Sequence, residues 1–424
     1  MKQHIKRILP YAISVYIGAA FMNMCTNLTG SVLSDIMTYY HMNLDRGGMM
    51  SFFQFLGGIA AIIIIAGISD RMKKPFLLLL AFALTALVLL GIGVRPPMTL
   101  FMILYLLMGA TLGMIDMSNN AVLSDLFAEN RDSALSVLHG VCGLGAAGIP
   151  LITAVIGTGS WGLIYRSVSL VIFGILIFQL VIYLKNRTVI DSTSAASGNQ
   201  NASAVSGNLK ASAVSGNLKA SAVSGSSSPA VSTETRTVFR NPHVWIAAVS
   251  VICYGASQGG ITVWGVKYCR DIFTEKGALA CAMALSLYWF GTMIGRLGVA
   301  IVPSLRRIKS RDLVIWGGIL AGIALFAGLI SGQYILLMAG IFVFGILNAA
   351  VLPRIISMMA DWYPDKTGLV SGIACISLYI GLAVVPLLMG EIGEAADLKL
   401  MMMTPVLMTV LSGVFGIFLP KKTA

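Results

Sequence analysis

The sequence predicts an all-α membrane protein: twelve transmembrane helices arranged as two pseudo-symmetric six-helix bundles. Three observations carry that prediction. Of 424 residues, 57% are hydrophobic and only 11% are charged, with a mean hydropathy of +0.87, whereas a soluble domain carries about 25% charged residues. Roughly twelve apolar runs follow one another, each near the length that crosses a hydrocarbon core of ~30 Å. The first and last six runs echo each other in motif and in order.

By length and hydropathy the spans fall at 8–33, 47–68, 75–94, 98–124, 133–157, 161–184, 243–267, 277–303, 312–331, 334–357, 367–390 and 398–420. The opening "MKQHIKRILPYAISVYIGAAF" has the basic-then-apolar order of a signal peptide. Its apolar part is long enough to span, so it reads as a retained first helix. Most loops are short, with turn signals such as "RPP" (95–97) and "TGS" (158–160). Between 185 and 240 the pattern changes. "NASAVSGNLKASAVSGNLKASAVSGSSSP" repeats from Gly207 to Gly216 to Gly225 and is dominated by Ser, Gly, Asn and Ala. Such a segment has too little apolar surface for a core and predicts a flexible linker. The chain therefore divides into an N-terminal bundle (1–184), a cytoplasmic linker (185–240) and a C-terminal bundle (241–424).

A net charge of +12 would suit a nucleic-acid binder if it formed a patch. It does not: the basic residues sit in short loops, so no nucleic-acid partner is expected. With the N-terminus inside, about 21 Lys and Arg fall on the cytoplasmic side and about six outside, as the positive-inside rule requires. "SDRMKK", "KNR", "RRIKSR" and the final "KK" all lie inside, which predicts two cytoplasmic termini. The halves repeat a local pattern as well. "NNAVL" (119–123) leads through a loop into a Gly-rich helix with Pro150, and "NAAVL" (348–352) leads likewise to Pro386. Repeated six-helix halves around a central site suit a transporter.

Within the fourth span, "GMIDMSNNAVL" (113–123) places polar groups where they are costly. A central Asp costs roughly 2.5–3.5 kcal/mol on insertion scales. Asp116, Asn119 and Asn120 are three and four apart and form one polar stripe, whose face Gly109 and Gly113 extend without bulk. Such a stripe must face a wet cavity or another helix. A partly desolvated carboxylate can take up and release a proton, which makes Asp116 the leading proton-coupling candidate. The alternative is a structural hydrogen bond between helices. No other acid lies so deep: Asp35, Glu391 and Glu394 fall near outer helix ends. Further polar candidates for substrate binding are Asn23 and Asn27 (first span), Gln54 (second) and His139 (fifth). Tyr254, Gln258 and Trp264 lie in the seventh span, where Gly255, Gly259 and Gly260 loosen the helix. Tyr288 and Trp289 (eighth), Asn348 (tenth) and Tyr379 (eleventh) complete the set. Amides bond hydroxyls and rings cover C–H faces, a chemistry that fits a neutral polar ligand such as a sugar. Each residue taken singly also serves helix packing, so about half are expected to line a cavity. His139 can pair with Asp116, relay a proton or simply pack.

The six cysteines (25, 142, 253, 269, 281 and 375) show neither CxxC nor metal spacing, and the four histidines are scattered. No metal or cofactor is expected. Cys269 and Cys281 flank an external loop, where a disulfide is the alternative to free thiols. There is no GxxxxGK[ST] loop for ATP and no G-x-S-x-G or HExxH motif, so the chain does not read as an enzyme.

The layout resembles the major facilitator superfamily. "GISDRMKKPF" (67–76), after the second span, is similar to that superfamily's loop signature of Gly, Asp-Arg and a basic cluster. Ala66 and Lys73 stand where Gly is usual. The resemblance implies an inner-gate latch for Asp70 and Arg71, with Lys74 in the basic cluster; Asp70 is also placed to cap the third span. "YWFGTMIGRLG" (288–298) looks like the second-half counterpart. Its Gly291, Gly295 and Gly298 permit close helix approach, and Arg296 can snorkel to the interface, in a gating or structural role. The fucose–proton symporter family is a closer likeness: its acid followed four positions later by Asn is matched by Asp116 and Asn120. "LHGVCGLGAAGIPLI" (138–152) resembles its Gly-rich fifth span. That family's first-span Asp has no counterpart in "GAAFMNMCTNL" (18–28), which offers Asn23, Cys25 and Asn27. The resemblance implies a monomeric secondary active transporter in a bacterial inner membrane, working by alternating access. The expected function is proton-coupled uptake of a small polar solute such as a sugar. Its partners would be that solute, the proton and the lipid bilayer. Two other readings stay open. One is a proton-driven exporter of amphiphilic compounds, which the 23 Met residues suit and the poor match of "GAAGIP" to the drug-antiporter signature opposes. The other is a non-transporting membrane sensor.

Overall fold

Each apolar run of the sequence becomes a helix, because a backbone in lipid must satisfy its own polar groups. The computed structural model describes residues 2–68, 73–127, 131–157, 159–214 and 233–420, with no strand among them. The helices are α1 (Lys2–Tyr40), α2 (Leu44–Ile68), α3 (Lys74–Gly93), α4 (Met98–Leu126), α5 (Arg131–Ile156), α6 (Trp161–Val214), α7 (Thr233–Arg240), α8 (Pro242–Ile272), α9 (Ala278–Ile301), α10 (Pro303–Arg306), α11 (Ser310–Ile330), α12 (Tyr334–Asn348), α13 (Val351–Trp362), α14 (Thr367–Ala395) and α15 (Leu398–Ile417). Among the described residues, twelve stretches are long and apolar enough to cross a membrane, one for each predicted span; α12 and α13 together make the tenth. The turn signals act as expected. Gly157 and Gly159, between α5 and α6, take φ of 100° and 80°, which Gly adopts without steric cost.

Two backbone features differ from the expectation. The tenth span is broken after Asn348: Pro353 has no N–H to offer the Ala349 carbonyl, and α13 restarts at Val351. The matching segment of the first half lies inside an unbroken α4. Where a flexible linker is expected from residue 185, α6 runs on to Val214. That stretch contains no Pro, and extending an existing helix avoids the cost of nucleation.

Packing repeats between the halves. In the first, α1 lies on α5 and α6, α2 on α4, and α3 on α4 and α6. In the second, α8 lies on α14 and α15, α9 on α12, and α11 on α12 and α15. Pairing α2 with α14 and α5 with α9 joins the halves, and this pairing maps onto itself under the same two-fold. The repeat extends to the close contact of α2 with α4. A Cβ on Gly109 would run into the Gln54 carbonyl, and one on Gly291 or Gly345 would meet the Phe342 or Tyr288 carbonyl in the equivalent pair. Only glycine lets those backbones approach so closely.

The sequence predicts Asp70 as the cap of the third span. The structure places Lys73 at that position, with no side-chain cap bond; Asp70 and Arg71 lie outside the described residues. Lys74 forms an ion pair with the buried Asp125 at 2.8 Å, joining α3 to α4 within one half. All six cysteines are free, Cys269 and Cys281 included.

Candidate functional site

Asp116 lies ten residues before the end of α4 at Leu126, about 15 Å of helical rise, or half the ~30 Å hydrocarbon core. It is half-buried. Asn120, one turn on, donates from Nδ2 to the Asp116 carbonyl at 2.8 Å and to its Oδ1 at 3.3 Å. Asn119 behaves differently. It is fully buried, and neither amide atom has a hydrogen-bond partner. The expected stripe therefore divides. Gly109 and Gly113 turn to α2, against Gln54 and Gly58, instead of extending the face of Asp116.

Around Asp116 the two halves meet. Cys142 on α5 and Cys375 and Tyr379 on α14 are within electrostatic range of its carboxylate. The Tyr379 ring packs edge-on against Phe55 of α2, with centroids 5.7 Å apart, so it bridges the halves. The Cys142 thiol donates to the Ala19 carbonyl at 3.6 Å, with the Asn23 side chain nearby. Arg296 on α9 is within electrostatic range of both Cys142 and His139. His139 lies on α5, which packs against that helix of the opposite half, and its side chain is exposed.

The remaining candidates divide by environment. Asn23, Asn120, Gln258 and Tyr379 are half-buried. The others are buried, and most have their polar atoms committed. Gln54 accepts from Thr29 at 2.6 Å and donates to the Thr26 carbonyl at 3.1 Å. Trp264 donates to the Pro386 carbonyl at 2.9 Å. Asn348 donates to Ser257 at 3.4 Å and accepts from Thr409 at 3.2 Å. Asn27 accepts from Trp289 Nε1 at 2.7 Å. Tyr254 and Tyr288 keep buried hydroxyls without partners. Sequence reasoning passes over Cys142 and Cys375, since a Cys in an apolar helix reads as a small hydrophobe.

The cross-half bonds also divide by depth. Call the end of the bundle that carries both chain termini the terminal end, and the other the distal end. Five hydrogen bonds or ion pairs between the halves lie at mid-depth or toward the distal end. They are Trp289–Asn27, Ser286 to the Ala147 carbonyl at 2.8 Å, Ser51 to the Leu382 carbonyl at 3.2 Å, Arg270–Asp35 at 3.1 Å and the Leu44 amide to Glu394 at 3.2 Å. The halves are thus clasped at the distal end.

Arg270 and Asp35 are both largely buried, at 18% and 11% side-chain exposure, so the pair is screened less than a surface bridge. Asp35→Asn or Arg270→Gln is expected to favour the distally open form about tenfold, and the reversal Asp35→Arg with Arg270→Asp to restore the balance. Distance distributions between spin labels on the two halves will measure it. Unchanged distributions in both single variants would remove the bridge from the clasp.

Twelve spans in two repeated halves, meeting at a polar site in mid-membrane, define a membrane transporter of the two-bundle class. The sequence profile of the Major Facilitator Superfamily matches residues 15–308 and 299–424, and the chain belongs to that superfamily. It is similar to the "Glucose/galactose transporter" of Brucella abortus biovar 1 (strain 9-941), 23% identical over 197 residues, or 46% of this chain and 47% of that protein. The protein of the same name from Brucella abortus (strain 2308) matches equally, at 23% over 197 residues. The chain thus spans about half the length of these curated relatives. Among solved structures it is similar to a bacterial homolog of the human lysosomal transporter Spinster, inward-facing, both unoccupied and occupied. Each has a TM-score of 0.71, 12% identity and 96% of both chains covered. At that identity the likeness concerns the fold alone.

Proposed function

We propose that this protein is a proton-coupled secondary transporter that imports a small polar solute, such as a sugar, by alternating access, with Asp116 carrying the proton. The observation behind the reading is Asp116 itself: a half-buried carboxylate at mid-depth, at the junction of the halves, whose Oδ1 accepts from Asn120. Closing the halves over an ionised carboxylate is costly, and closing them over a protonated one is less so. The proton thereby couples to the direction in which the halves part. A membrane potential of 100 mV supplies about 2.3 kcal/mol per charge, nearly fifty-fold accumulation per proton. Asn23, Asn120, Gln258, Tyr379 and His139, the candidates not sealed in packing, are the proposed substrate contacts. Asp70, Arg71, Lys74 and Arg296 are the proposed gate.

The basic loops put the terminal end in the cytoplasm. The described conformation is then closed at the outside by the distal clasp, in a bacterial inner membrane, with the chain acting as a monomer. The name of the Brucella relatives supports a sugar, and the Asp116–Asn120 spacing supports kinship with the fucose–proton symporters. The test is counterflow in proteoliposomes against a panel of hexoses, nucleosides and organic acids. Trans-stimulated uptake of a hexose is expected. Exchange confined to amphiphilic compounds would favour an exporter, and ligand binding without flux would favour a sensor.

A further inference from the structure

Outside the central site, a cavity of about 420 Å³ opens between α3 and α6 near the terminal end, lined by Lys73, Phe76, Leu79, Leu180, Tyr183, Leu184 and Arg187. Its volume falls within the range of small-molecule sites, yet it lies on the flank of the bundle. Phe76 and Leu184 are 53% and 58% exposed, as befits side chains that meet lipid. The two walls run antiparallel but grade the same way. Along α3, Lys73 precedes Phe76 and Leu79 with depth; along α6, Arg187 precedes Leu184 and Leu180. Both cations therefore stand at the mouth, and the apolar side chains continue about 9 Å inward. Positive at the interface and apolar below, this is the complement of an anionic amphiphile.

We propose that the α3–α6 cleft binds one anionic phospholipid of the adjoining leaflet, with Lys73 and Arg187 on the phosphate-bearing headgroup and Phe76, Leu79, Leu180 and Leu184 along an acyl chain. Tyr183, buried at the side of the cleft, supplies an aromatic wall at headgroup depth, where such rings concentrate. Interfacial cations favour an anionic over a zwitterionic headgroup. Lys73 adjoins Lys74, whose ammonium joins α3 to Asp125 of α4, so a bound headgroup would sit beside the contact that ties two helices of the first half together. The proposal is independent of the transported solute.

The test uses the full chain in detergent micelles containing equal amounts of phosphatidylglycerol and phosphatidylcholine, with retained lipids counted by native mass spectrometry. Wild type is expected to keep phosphatidylglycerol in clear excess. Lys73→Gln with Arg187→Gln should bring retention down to the bulk ratio, Lys73→Arg with Arg187→Lys should preserve the excess, and Arg307→Gln with Lys309→Gln, outside the cleft, should leave it unchanged. Because both cleft cations are exposed, the variants are expected to elute as wild type in size exclusion. An excess that survives in the Gln pair overturns the site. So does its equal loss in the Arg307/Lys309 control, which would mean diffuse charge attraction. Displacement of the lipid by soluble glycerol phosphate would also overturn it, as it would reveal a free-anion site.

Discussion

Asp116→Asn will abolish solute accumulation driven by a proton gradient while leaving counterflow within a few-fold of wild type. The amide keeps the shape and can still accept from Asn120, but it cannot exchange a proton, so the step that links the pH gradient to the parting of the halves is lost. Without coupling, the gradient-driven ratio should fall from tens-fold to about one, because ~2.3 kcal/mol per 100 mV no longer acts on the cycle. Proteoliposomes with an imposed potential and an inward proton gradient will measure accumulation, and radiolabel exchange at equilibrium will measure counterflow. Retained accumulation in Asp116→Asn would move the coupling elsewhere. Loss of both activities with a monodisperse protein would make Asp116 a substrate contact instead.

The second large effect is expected at Gly30. It lies in α1 where that helix crosses α8 of the other half, and a Cβ there would collide with the Thr262 carbonyl. Backbone meets backbone, so no side-chain rotation can relieve the clash, and overpacking of this kind costs about 1–3 kcal/mol or more. Gly30→Val should therefore open the distal clasp, shifting the population ten- to a hundredfold and halting net transport. Each half packs mainly through its own helices, so folding should persist. Ser51 donates to the Leu382 carbonyl across that clasp. In a background lacking the native cysteines, Ser51→Cys should become reactive toward an impermeant maleimide only when Gly30 is Val. Unchanged labelling, with transport near wild type, would show that the closed distal clasp is not a working state of the cycle.

Much of the site is legible at the level of residue type. A carboxylate and two amides inside an apolar run admit few explanations, and the spacing of Asp116 and Asn120 on adjacent turns puts them on one face in any helix. The division of the other candidates was not legible. Asn27 and Gln54 look alike in sequence to Asn23, yet one is held by Trp289 and the other by Thr29 and the Thr26 backbone. Asn119 sits one residue from Asn120 and is sealed in. Which amide faces a hollow and which binds a neighbour depends on partners on other helices, information a local pattern does not hold. Cys142 and Cys375 were passed over for the same reason: only proximity to Asp116 distinguishes them.

Hydropathy, loop charge and the echo of "NNAVL" in "NAAVL" are sufficient for the twelve spans and the two-fold plan, since lipid forces every apolar run of that length to close its own hydrogen bonds as a helix. The break after Asn348, the run of α6 to Val214, the distal clasp and the cleft between α3 and α6 emerge only when the helices are packed. Each rests on contacts between distant segments or on a balance of helix-breaking and helix-extending terms, and a hydrophobic pattern is blind to both.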